Sequence, residues 1–144
     1  MTMPPALRIA NTVMLALFLL AAAVQYNDPD PFPWVLVYAG AAAACAMAFD
    51  GSRRWQVPAA LAATALVWAL ALAARIGGNL LPEGVFASAS MIGPDVETAR
   101  EAGGLLLVAA WSAFLAVLQR NAVRRVAAGR DPGRHRTHTT RTPS

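Results

Sequence analysis

The sequence predicts an all-α membrane protein: a compact bundle of four transmembrane helices with both termini in the cytoplasm. Three observations predict it. The chain is 57% hydrophobic and 14% charged, with a mean hydropathy of +0.45, where a soluble domain carries about 25% charged residues. Its apolar residues fall in four blocks instead of being spread through the chain. All twelve basic residues are arginines, and most sit beside the ends of those blocks, as orientation signals do and a nucleic-acid footprint does not.

Three of the four blocks lie at the short end of the roughly 17–25 apolar residues that carry a helix across a bilayer core, so they must sit nearly upright or borrow polar residues at their ends. The first runs over residues 9–24, the second over 33–49, the third over 57–76 and the fourth over 102–118. No charge lies in the middle of any block; Arg8 and Arg75 lie at ends, where their stems can reach the headgroups. Backbone groups in lipid must bond internally, and without strict alternation of polar and apolar residues the blocks read as helices. The run after Arg8, ending in Ala21-Ala22-Ala23, also resembles a cleavable signal peptide, which would leave three spans.

Orientation follows from the segments between blocks. The first loop carries Asp28 and Asp30 and no base; the second carries Arg53 and Arg54 against Asp50. The third carries Glu83, Asp95, Glu97, Arg100 and Glu101, and the tail carries Arg120, Arg124, Arg125, Arg130, Arg134, Arg136 and Arg141. With the arginine-rich sides inside, ten Arg and two Asp lie in the cytoplasm, and two Arg and six acids lie outside. The expected location is a bacterial-type cytoplasmic membrane. The transmembrane domain then covers residues 1–126, with helix running on to Val126, and residues 127–144 form a basic, disordered tail containing His135 and His138.

Helix association in lipid relies on close packing of small residues. The second and third blocks supply long series of alanines, and Gly103 and Gly104 open the fourth. Trp34 and Trp55 fit the aromatic belt at the water interface, whereas Trp68 and Trp111 fill space between helices. Cys45, the one cysteine, reads as a small buried hydrophobe. Leu80 to Ile92 is apolar but too short to span, and is expected on the outer interface or dipping into it as a lid.

The sharpest local features are two polar segments on the outer side. Gln25-Tyr26-Asn27-Asp28-Pro29-Asp30-Pro31-Phe32-Pro33-Trp34 alternates prolines with turn-forming residues, which predicts a rigid loop, with Asp30 capping the second span and Pro31 or Pro33 in its first turn. Pro94-Asp95-Val96-Glu97-Thr98-Ala99-Arg100-Glu101 reads as the N-terminus of the fourth helix, where acids suit the dipole. Topology brings both to one mouth, so Asn27, Asp28, Asp30, Glu97, Arg100 and Glu101 form the candidate site. In one reading Arg100 ties the first loop down through Asp28 or Asp30. In the other, the oxygens hold a hard divalent cation or a small polar head group, the metal being unspecified.

At these residues the chain resembles the transmembrane protein 220 family. The resemblance rests on Gln25-Tyr26-Asn27-Asp28-Pro29-Asp30, on Trp34 and Tyr38, and on Glu97, Arg100-Glu101 and Gly104-Leu105; it extends over about residues 8 to 120. Where the family pattern has a run of acids before Arg100, this chain has Asp95 and Glu97. The resemblance implies a compact bundle of about four transmembrane helices and brings no catalytic mechanism.

The leading functional expectation is a structural or interaction protein of the membrane. Its partners are the lipid bilayer and, through the Ala-rich helices, another membrane protein or a second copy, and not nucleic acid. The alternative is a binding module for a cation or polar ligand at the acidic mouth. No enzyme is expected, because no Ser/His or Cys/His arrangement is available, and no cofactor signature is present.

Overall fold

The computed structural model describes residues 3–27, 30–77 and 94–129. Four long helices form: α1 (Pro5–Val24), α2 (Pro31–Phe49), α3 (Gln56–Arg75) and α4 (Pro94–Gly129), with a single 3-10 turn at Gln25–Asn27. All four are long and apolar enough to cross a membrane. No strand occurs among the described residues.

Helix boundaries extend past the apolar blocks because proline permits it. Pro5 and Pro31 occupy the first turns of α1 and α2, and α4 begins at Pro94. In a first turn the missing N–H would have no intrahelical partner, and the fixed φ is already helical. Asp30 is the residue before α2, as expected, but its side chain makes no capping hydrogen bond. That expected cap is corrected: the prolines start the helix without it. At the far end of α2 the chain turns through Gly51, whose φ is +66°. The Gly51 N–H donates to the Ala48 carbonyl (3.3 Å) and the Ser52 N–H to the Met47 carbonyl (3.0 Å), the pair of bonds that closes a helix on a left-handed residue.

The helices run alternately up and down. The most extensive contacts join α3 to α4 and α1 to α2, while α2 also touches α3 and α4. On α3 the buried residues are Pro58, Ala62, Ala65, Ala69 and Leu72, a seam spaced four, three, four and three, which keeps one face toward a partner helix. Most of that seam is alanine, so the α4 backbone can come close. On α2, Trp34, Val37, Tyr38, Ala41, Ala42, Ala44 and Cys45 are buried. On α1 only Asn11 and Phe18 are buried, while Ile9, Val13, Leu17, Leu19, Leu20 and Val24 are exposed. Such a surface suits hydrocarbon surroundings.

Trp34 departs from its expected place in an aromatic belt. It is buried and stacks on Trp68 of α3, with ring centroids 4.7 Å apart. Stacking two large rings gives more contact than interfacial water offers one of them. Trp55 does sit at a helix start, half-buried, with the Arg120 guanidinium 5.3 Å from its ring centroid. That cation–π contact joins the start of α3 to α4.

One end of the bundle carries the 3-10 turn and the starts of α2 and α4; among its residues are Asp30, Glu97 and Glu101. The other carries the start of α1, the α2–α3 loop and the last turns of α4, with Arg8, Arg53, Arg54, Arg120, Arg124 and Arg125. With 36 residues, α4 is about 54 Å long. It overruns a hydrocarbon core of about 30 Å at its ends.

Candidate functional site

At the acidic end, the alternation of helix directions sets the start of α2 beside the start of α4. Their register is fixed by Tyr38 of α2, whose hydroxyl lies against the bare Cα of Gly104 on α4. A Cβ at Gly104 would collide with that oxygen, so the absence of a side chain there is what lets the phenol reach the α4 backbone. Glu101 lies close enough for its charge to act on the same phenol.

Of the six candidate site residues, the structure brings five to this end in described positions. Asp30 and Glu97 are exposed, and Arg100 and Glu101 are half-buried. Thr98, Arg100 and Glu101 each have an interaction partner. Asn27 closes the 3-10 turn; Asp28, and with it the choice between Asp28 and Asp30 as the partner of Arg100, lies outside the described residues. So do the expected lid, Leu80 to Ile92, and residues 130–144 of the basic tail, with both histidines. Among the described residues no three Asp, Glu, His or Cys side chains converge to hold a metal ion.

Deeper in the bundle the structure reveals a polar arrangement that the sequence reading passed over. Asn11 of α1 is completely buried. Its Nδ2 donates to the Cys45 carbonyl of α2 at 2.9 Å, and its Oδ1 accepts from Trp111 Nε1 of α4 at 3.3 Å. One amide therefore ties three helices together, using both its donor and its acceptor. The available signal was a lone Asn in an apolar run: a polar side chain in a span faces the bundle interior and finds partners there. Trp111 has its expected interhelical position and adds a polar tether to it. Cys45 is buried, as expected, and has no disulfide partner.

A third feature lies on the side of the bundle. Ala62, Ala63 and Leu66 of α3 and Leu106, Ala109, Ala110 and Ala113 of α4 line a groove of about 310 Å³. Ala63, Leu66, Ala110 and Ala113 are exposed along it. The walls are almost wholly methyl groups, and the helices that make them are the most closely associated pair in the molecule. The groove can seat an apolar element, and it offers no polar group to orient a reaction.

A family model described as "Transmembrane family 220, helix" matches residues 17–117. The match covers α2 and α3 in full, and both the Gln25–Asp30 and the Glu97–Leu105 segments. No curated protein and no solved structure matches the chain.

Proposed function

The chain belongs to transmembrane family 220, and from that premise we propose that it is a structural or interaction protein that docks a transmembrane helix of another membrane protein into the α3–α4 groove. The observation that carries this reading is the groove itself, lined by small residues on a lipid-facing flank. Apolar contact alone does not drive helices together in lipid, because the tails are equally apolar; close backbone approach over Ala and Gly does. Cytoplasmic N- and C-termini in a bacterial-type cytoplasmic membrane belong to the same proposal, supported by the arginine excess at one end of the bundle.

Proximity cross-linking in native membranes tests the docking. In a Cys45→Ser background, Ala110→Cys places a photo-reactive maleimide in the groove, and Leu20→Cys places one on the outer face of α1. An adduct with a second polypeptide, formed from Ala110→Cys and not from Leu20→Cys, is expected. An adduct of twice the chain mass would make the partner a second copy, and equal labelling from both positions would end the docking reading.

Asp30 and Glu97, both exposed at the acidic end, favour a second reading: a site for a divalent cation or small polar ligand completed by Asn27, Asp28, Arg100 and Glu101. Thermal unfolding against a panel of such ligands separates the two. A ligand at a hundred times its dissociation constant stabilises by about 2.7 kcal/mol, and on this reading Asp30→Asn with Glu97→Gln abolishes the effect.

A further inference from the structure

A cavity of about 150 Å³ opens at the arginine end. Leu7 of α1, Ala48 of α2, and Leu115, Leu118, Ala122 and Val126 of α4 give it apolar walls. Arg53 of the α2–α3 loop also lines it, and that residue is exposed. Gln119 of α4 lines the cavity too and is 6% exposed. Neither its Nε2 nor its Oε1 has a hydrogen-bond partner among the described residues. A buried amide without partners is destabilising, because it has lost its hydration and gained no bond in return. The Asn11 amide, by contrast, uses both its groups.

We propose that this cavity holds an anionic phospholipid, with part of one acyl chain against the leucines, the ester region at the Gln119 amide and the phosphate at Arg53. Three observations meet here. The volume equals that of about five water molecules, enough for a stretch of one chain and too little for a whole lipid. The walls are apolar with a cation at the mouth, which is the order of groups along a phospholipid. The surrounding surface carries Arg8, Arg54 and Arg120, cations that draw an anionic headgroup to this end of the bundle. The site shares no lining residue with the α3–α4 groove, so it stands or falls independently of helix docking.

Thermal unfolding of the delipidated full-length chain in neutral detergent tests it, with phosphatidylglycerol, phosphatidylcholine of the same acyl chains, and glycerol phosphate as probes. Phosphatidylglycerol is expected to raise the midpoint by about 5 °C, with no rise from the other two. Arg53→Gln should abolish the rise, and Arg124→Gln, outside the cavity, should retain it. Gln119→Leu should raise the midpoint of the lipid-free protein, by removing the unpartnered amide, while weakening the lipid response. Because Arg53 is exposed, Arg53→Gln is expected to keep the fold and the lipid-free midpoint of the wild type. An equal response to both lipids, a response to glycerol phosphate alone, or the same loss in Arg53→Gln and Arg124→Gln overturns the proposal.

Discussion

Two residues decide much of the interior, one by the hydrogen bonds of its side chain and the other by having no side chain. Asn11 engages both its Nδ2 and its Oδ1, on the Cys45 carbonyl and on Trp111. Interhelical hydrogen bonds in membranes are worth about 0.6 kcal/mol on average and up to about 1.7. Asn11→Leu should therefore destabilise the bundle by about 1–2 kcal/mol in reversible unfolding from mixed micelles. A double-mutant cycle with Trp111→Phe should return a coupling of about 0.5–1.5 kcal/mol; additive losses would show that the 3.3 Å contact contributes nothing. Gly104 acts by what it lacks. Gly104→Ala sets a methyl against the Tyr38 hydroxyl, and overpacking of this kind costs about 1–3 kcal/mol. Tyr38→Phe removes that oxygen, so the double variant should recover part of the loss. No recovery would place the strain elsewhere. The sequence marked Tyr38 and Gly104 through family resemblance without linking them, because a contact across 66 positions leaves no local pattern. Asn11 passed unremarked for a different reason: hydropathy averages one amide away among its apolar neighbours.

At the scale of elements, hydropathy located all four helices but not their ends. Apolar content marks the part of a helix inside lipid, whereas prolines and capping glycines mark where the helix starts and stops. The expected spans therefore began at Ile9, Pro33 and Ala102, and the helices begin at Pro5, Pro31 and Pro94. The continuation of the last helix to Val126 was legible from arginines at helical spacing, and it runs on to Gly129. Which face of each helix turns inward was harder to read. In α2 and α3 alanine occurs on every side, so no apolar stripe distinguishes buried from exposed positions. The Ala62, Ala65, Ala69 seam emerges only when α4 is beside it. Trp34 shows the same limit: its position at a helix start suited an interface, and the neighbouring Trp68 drew it into the bundle.

For the whole molecule, charge asymmetry is what supports the proposed orientation. Asp30→Cys and Ser52→Cys, each in a Cys45→Ser background, place thiols at opposite ends of the bundle. A membrane-impermeant maleimide added to intact cells should label the first and spare the second. The reverse pattern would invert the proposed topology. The candidate site at the acidic end was legible as a set of residues because topology alone brings the starts of α2 and α4 together. The groove between α3 and α4 was not, since composition reports many small residues but not the gap they leave. Its role in association is the central claim, and the native mass of the complex extracted from membranes in lipid-polymer particles tests it most directly. The wild-type chain should travel with a partner, above its own 15.1 kDa. Ala110→Leu with Ala113→Leu, which fills the groove from exposed positions, should return it to the monomer mass with its helicity and unfolding midpoint unchanged. A wild-type chain that is already monomeric, or a complex indifferent to the filled groove, would contradict the account.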